Sequence, residues 1–380
     1  MPKDPTSRGR RIPGRATPEG TARYVARFAG AAAPGHFRER EGLRASSIGI
    51  GTYLGGRDDQ TDSLVTAAVV RSVRGGVNVV DTAINYRQER GERSAGAALA
   101  RLVDSSEAAR DEILVCTKGG FVPQPSPAEQ WFKSEYVARK ELGIRPEDLA
   151  EGCHSMHPAY LADQLERSLA NLGLETVDVY YIHNPETELP EVGRKVFYER
   201  LAAAFEALEV AADRGKIASY GLATWKAFRM GPEASEHIDL ARVKEMARQA
   251  AGGREDRFRW IELPLNLAMT EGLALPTQVL GARRLPAIPA AGELGLAVVA
   301  SSAISQGRVL GKIDARASAL LGDASLTGAL RALQFARSAP GVLSALVGMK
   351  SPAHVEENLA LVALPPLPEE TVHTILAGGS

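Results

Sequence analysis

The chain is expected to fold as an α/β protein, a (β/α)8 TIM barrel with an N-terminal arm or hairpin and long βα loops over the C-terminal face. Two observations predict it. From residue 46 onward, eight short β-rich runs alternate with longer stretches of helical periodicity, the order a parallel sheet with crossover helices requires. The length of 380 residues lies within the range of that fold, and 44% hydrophobic residues supply its core. An open doubly wound sheet is the alternative.

The expected organisation is an arm over residues 1–45, rich in Arg, Gly, Pro and Ala without a sustained period, then one barrel domain over 46–380. The β-type runs are 46–54 (SSIGIGTYL), 77–83 (VNVVDTA), 112–118 (EILVCTK), 177–183 (VDVYYIH), 218–224 (ASYGLAT), 259–265 (RWIELPL), 296–302 (LAVVASS) and 344–350 (SALVGMK). Helical patterns over 161–172 and 198–214 precede two of them, and 202–212 is amphipathic enough to pack on the barrel wall. The rhythm is interrupted by an insertion at 119–156, which holds Pro123, Pro125, Pro127, Trp131, Phe132 and Tyr136 and a predicted helix around 134–142. Following the third strand, it could overhang the barrel mouth as a lid or be a surface decoration. A shorter interruption follows the fourth strand at 185–196.

Charge excludes some partners. Lys and Arg number 45 against 46 Asp and Glu, with no single-sign field to organise nucleic acid or a membrane surface. No run approaches the roughly 18 apolar residues of a membrane span. Two cysteines, Cys116 and Cys153, leave no disulfide framework, and no apolar stretch follows Arg10 and Arg11, so a cytoplasmic location is expected. The cluster Cys153, His154 and His157 lacks an evident fourth ligand and reads as structural or rim residues rather than metal ligands. The glycines of GIGTYLGG, at 49, 51, 55 and 56, miss the G-x-G-x-x-G spacing of a dinucleotide fold.

Residues at the C-terminal ends of barrel strands face the mouth, so polar groups ending apolar strands are the first candidates for chemistry. VNVVDTA presents Asp81 with Tyr86 just beyond, ILVCTK ends in Lys118, and VYYIH ends in His183. Each alone has a structural explanation as a cap, a snorkelling cation or a packed ring. Together they form a proton-donating set. A Lys ammonium about 4 Å from a tyrosine favours phenolate by roughly 4 kcal/mol at an effective dielectric of about 20. Burial opposes this, so a smaller net lowering of the Tyr86 pKa is expected, with Asp81 keeping Lys118 charged.

In its motifs the chain resembles the aldo-keto reductases, from about residue 46 to 362. VVDTAINYRQERGERSAGAAL (79–99) is similar to the family's D-T-A-x-x-Y signature, LVCTKGG, DVYYIHNPE and GKIASYGLAT follow in family order, and ALRALQFARSAPGVLSALVGMKSPAHVEENL (329–359) resembles its cofactor-clamping end. The resemblance implies NADP(H)-dependent reduction of a small-molecule carbonyl in a barrel. Tyr86 would be the general acid, Lys118 and Asp81 would tune it, and His183 would position the substrate. It implies further that Gly51 and Thr52 border the nicotinamide, Gln306 and Gly307 the pyrophosphate, and Lys350, Ser351, His354, Glu357 and Asn358 the adenosine end, with Lys350 meeting a 2′-phosphate.

The chain departs from the family where the nicotinamide would bind. Gly221-Leu222-Ala223-Thr224 replaces G-V-S-N, Glu262 stands for a Gln, and Ser301 replaces a stacking aromatic, while Ser302 remains. An ionised Glu262 accepts from a carboxamide but cannot donate to it. Thr224 and Trp225 are the compensating candidates, and Trp131 and Trp225 are expected to line a substrate pocket. The alternative is a non-redox acid/base enzyme, an isomerase, dehydratase or cyclase on the same scaffold, and after it a regulatory nucleotide-binding subunit.

Overall fold

The structure is a computed structural model that describes residues 11–124, 127–312, 315–323 and 325–378. Eight parallel strands close into a barrel: β1 (Ile48–Gly51), β2 (Val79–Asp81), β3 (Leu114–Gly119), β4 (Val177–His183), β5 (Ile217–Ala223), β6 (Phe258–Pro264), β7 (Ala297–Ser301) and β8 (Val342–Gly348), each paired to its sequence neighbour and β8 to β1. All eight expected runs are strands.

Their period of two decides what meets inside. Val80, Val115, Tyr180, Ile182, Ile261 and Leu263 point outward to the helix layer. Val79, Leu114, Cys116, Val179, Tyr181, Trp260 and Val299 point inward and pack together. One residue further along the inward set, Asp81, Lys118, His183, Glu262 and Ser301 therefore all face the C-terminal end of the barrel interior. Trp260 fills the axis, with its Nε1 donating to Ser219 Oγ at 2.9 Å. Gly221 is required beside it, because a Cβ there would stand 2.1 Å from the Trp260 carbonyl oxygen.

Helices return the chain between strands, among them Asp59–Arg74, Arg90–Asp104, Pro158–Leu172 and Leu189–Asp213. Side-chain caps start several, as Asp58 accepts from Thr61 N and Thr327 from Leu330 N. In the last of the four, Gly193 at φ 70° breaks the helix near its start, within the expected interruption. No helix among the described residues is long and apolar enough to cross a membrane.

The insertion departs from expectation. Residues 134–142 are not one helix: helical turns run over Ala128–Phe132 and Lys133–Val137, then separately over Lys140–Leu142, because Arg139 leaves helical geometry between them. This turns Phe132 and Tyr136 onto Tyr160, where with Val122, Ile144 and Leu149 they make a small core of their own. Pro125 lies outside the described residues.

Below the barrel, a short helix (Pro18–Ala26) and a hairpin (Phe37–Arg40 with Leu43–Ser46) close the N-terminal end. Asp178 ties this arm to the strands, accepting from Ala16 N at 2.6 Å, Val115 N at 2.7 Å and Arg110 at 2.8 Å. His36, just before the hairpin, is fully buried, its ring against Gly76 O and Ser47 Oγ. Burial, with Arg337 and Arg38 nearby, pulls His36 down to about 4. The unfolded chain takes up a proton near pH 6.5 that the folded chain refuses until about pH 4, so stability falls as pH drops through that window, by about 3 kcal/mol. Urea midpoints measured from pH 7 to pH 4 should fall steeply, and His36→Gln should flatten the profile.

Candidate active site

A cavity of about 480 Å³ opens at the C-terminal end of the barrel, lined by Gly51, Asp81, Tyr86, His183, Thr224, Glu262 and Ser301 among others. Behind the lining residues Asp81 and Glu262, Lys118, with no exposed surface, donates to Asp81 Oδ1 at 2.5 Å and Thr82 O at 3.0 Å and lies 3.3 Å from Glu262 Oε2. Its Nζ stands 5.2 Å from the Tyr86 ring centroid. Tyr86 in turn sits edge to face with His183 at 5.7 Å and with Tyr53 at 5.0 Å. The four residues expected to act together do meet.

Their charges follow from burial. Desolvation works against the Lys118 ammonium, but Asp81 and Glu262 together outweigh it and hold the group well above its ordinary range. Burial raises Tyr86 most, and the favourable field of Lys118 does not overcome it, with the Asp81 carboxylate adding negative charge on the same side. The expected net lowering of Tyr86 is thereby corrected: the phenol is held protonated, with its proton available to a partner that develops negative charge. Burial, Lys118 and His154 push His183 well below its ordinary value, leaving a neutral imidazole with one N–H to give.

The position of His183 rests on residues that strand-end reasoning missed. His154, fully buried, bonds through Nε2 to the His183 carbonyl oxygen at 2.8 Å and through Nδ1 to Glu188 at 2.9 Å, and Arg200 bonds Glu188 at 2.7 Å. Phe121 stands edge-on to both histidines, at 5.0 and 5.2 Å. The Cys-His-x-x-His run was the available signal, and its central member proves to be a support behind the site. Among the described residues no cluster of His, Cys, Asp and Glu could hold a metal. Glu186 is a second support: its buried carboxylate accepts from Trp225 N at 2.6 Å and Lys226 N at 2.8 Å, fixing the loop after β5.

The other expected residues divide. Gly51, Thr224, Trp225, Glu262, Ser301, Ser302 and Gln306 line the cavity. Trp225, 44% exposed, stands at the mouth, but Trp131 does not line it. Trp131 is corrected from a substrate contact to a packing residue, its ring taken up by Arg167 at 5.3 Å and Tyr136 at 5.5 Å. Of the described residues of the insertion only Phe121 borders the cavity, so the bulk of the insertion is not positioned as a lid. Thr52 lines no part of it either, since its hydroxyl bonds Thr82 at 2.7 Å.

Gly307 closes the turn after β7, next to the lining residues Gln306 and Arg308. Lys350, Ser351, His354, Glu357 and Asn358 lie beyond the cavity, leading into and along the helix Pro352–Leu359. Glu357 accepts from Thr327 Oγ1 at 2.5 Å, and Asn358 is turned inward against Met349. Lys350 Nζ lies against the Gly55 backbone, 3.3 Å from where a Cβ would be. Among the described residues, neither Lys350 nor Arg308 has an acidic partner.

The family model described as the aldo/keto reductase family matches residues 47–240. The chain belongs to this family. The match ends before β6, so the departures at Glu262 and Ser301 and the C-terminal residues lie beyond it. An aldo-keto reductase from Mycobacterium avium (strain 104) is 28% identical over 168 residues, 44% of this chain and 41% of that protein, so the chain spans about two fifths of the length of this curated relative. Two solved structures share the fold across nearly the whole chain. An aldo/keto reductase from Klebsiella pneumoniae, solved with NADP and acetate, is 19% identical with TM-score 0.60, covering 90% of this chain and 94% of its own. Glycerol dehydrogenase from Gluconobacter oxydans is 18% identical with TM-score 0.61, covering 91% and 97%.

Proposed function

We propose that the protein is an NADP(H)-dependent oxidoreductase acting on a small-molecule carbonyl or alcohol, with Tyr86 as general acid. The observation that carries the reading is Tyr86 beside buried Lys118 and its carboxylates, at the floor of a cavity that His183 also lines. Two solved relatives of the same fold hold NADP or NADPH, which is consistent with this cofactor.

The residues present fit a dinucleotide. Buried Thr224 Oγ1 and Glu262 Oε2 lack hydrogen-bond donors where a carboxamide would need partners, and Gly51 and Gly348 leave the cavity wall without side chains. Gln306, Gly307 and Arg308 would hold the pyrophosphate. Lys350, with Ser351 and His354, would meet the 2′-phosphate that favours NADP over NAD. When bound, the cofactor supplies or accepts hydride at the carbonyl carbon.

The chain's own part is proton transfer and orientation. His183, neutral, donates to the carbonyl oxygen and aims it at Tyr86. Tyr86 gives its proton to that oxygen as negative charge develops, and Lys118 stabilises the phenolate left behind. Asp81 keeps Lys118 charged throughout. In the alcohol-oxidising direction the same proton returns to Tyr86.

Calorimetric titration with NADPH and NADH tests the cofactor assignment. NADPH should bind more tightly, and Lys350→Met should weaken NADPH by about 10- to 100-fold while leaving NADH unchanged. Equal affinity for both nucleotides in the wild type would reject the role of Lys350.

A further inference from the structure

Glu262 is not simply an ionised replacement for a neutral side chain. It reaches the same ammonium as Asp81: Lys118 Nζ is 2.5 Å from Asp81 Oδ1 and 3.3 Å from Glu262 Oε2. The two carboxyls thus flank one buried ammonium, both raised by burial, and Glu262 also by the charge of Asp81. An ionised carboxyl only accepts, so neither group can satisfy the other unless one of them carries a proton. Asp81 Oδ2 is buried without an N–H or O–H donor, and Glu262 Oε2 has only the Lys118 ammonium, at 3.3 Å and outside hydrogen-bonding geometry. One cation cannot offset two anions in a dry site.

We propose that Glu262 is a neutral carboxyl sharing one proton with Asp81, and that with Thr224 it forms a proton-gated cradle for the nicotinamide carboxamide. The inference rests on the cofactor reading above and deepens it. A neutral carboxyl presents one O–H donor and one carbonyl acceptor, the same pair of functions as a glutamine amide. Thr224 follows on β5, whose Ala223 pairs with Glu262, and its N–H donates to the Glu262 carbonyl oxygen at 2.8 Å. Its buried hydroxyl lacks a partner, so a second polar group is available on the same wall of the cavity.

The groups facing Glu262 decide the direction of its titration. Asp81 on β2 opposes its charge, Lys118 on β3 favours it, and burial opposes it most, so Glu262 is pushed up to about 8. Tyr86, Tyr181 and Cys116 also feel its charge, and all three are themselves raised and neutral. Loss of the proton removes the only donor Glu262 has and places a second anion beside the carboxamide oxygen. Nucleotide binding then weakens as pH rises, while Glu262→Gln keeps donor and acceptor at every pH.

Two measurements on the full-length protein test this. Infrared difference spectra of the nucleotide-free protein between pH 7 and pH 10 should contain a protonated-carboxyl C=O band that disappears on deprotonation and is missing in Glu262→Gln. Reading the difference against the variant separates this band from that of Glu92, a buried carboxyl pushed to about 7. NADPH titrations followed by fluorescence should give a wild-type Kd that rises through about pH 8, approaching tenfold per pH unit above it, with a flat profile in the variant.

Absence of the band in the wild type, which needs no variant to fold, overturns the shared proton. Parallel pH profiles of NADPH affinity in wild type and variant overturn the cradle and leave the cofactor assignment standing. Protein that shows the band and binds NADPH at no pH overturns the cofactor assignment and the cradle with it.

Discussion

Tyr86→Phe should lower kcat by about 10²- to 10⁴-fold while leaving NADPH affinity and thermal stability near wild type. The substitution deletes one hydroxyl and keeps the ring, which still packs on Tyr53 at 5.0 Å and His183 at 5.7 Å. His183 would still orient the carbonyl, so KM should move little, and the loss should fall on the step that needs the proton. Steady-state kinetics on any carbonyl turned over by the wild type, with NADPH titration of both proteins, checks this. A variant retaining a third of wild-type kcat would remove Tyr86 from the role of acid.

Lys118→Met should cost more, because the ammonium holds two carboxyls together in a buried layer. Breaking a buried pair by removing one partner costs about 3–5 kcal/mol. Asp81 and Glu262 would remain, both already raised by burial, with nothing to favour their ionised forms. In the variant their folded-state pKa values rise still further above the unfolded ones of about 4, so the added destabilisation should be largest at neutral and alkaline pH and shrink as pH falls toward 4. Urea unfolding at pH 8 and pH 5 measures both effects. Activity should be lost at every pH, since neither Tyr86 nor its conjugate base retains a cation beside it.

Much of this site was legible because barrel strands have a period of two. Once VVD, LVCTK and VYYIH are strands, Asp81, Lys118 and His183 must point inward at the same end, and the loop after Asp81 delivers Tyr86. The sign of the Tyr86 shift was not legible, for it depends first on how completely the closed barrel and its loops bury the ring, and Glu262, which comes from β6, meets Lys118 only across that barrel. A sequence reading identifies Glu262 as an odd residue near the carboxamide but cannot see that it shares Lys118.

Trp131 and His154 make the same point from the insertion. Both lie in a segment without regular periodicity, so nothing in the sequence tells which side chain turns toward the barrel. Trp131 stacks on Arg167 and leaves the cavity, whereas His154 is drawn under His183 by two hydrogen bonds. Helix 158–172, whose pattern was plain, supplies the surface on which the insertion packs through Tyr160.

Transfer of label from NADPH deuterated on nicotinamide C4 tests the central claim most directly, with a panel of aldehydes and ketones and mass spectrometry of the products. The account predicts alcohol product carrying one deuterium at the former carbonyl carbon, formed from one of the two C4-labelled epimers and absent with Tyr86→Phe. Substrate converted without deuterium uptake, or without consumption of NADPH, would contradict it and assign the buried acid set to a reaction without hydride transfer.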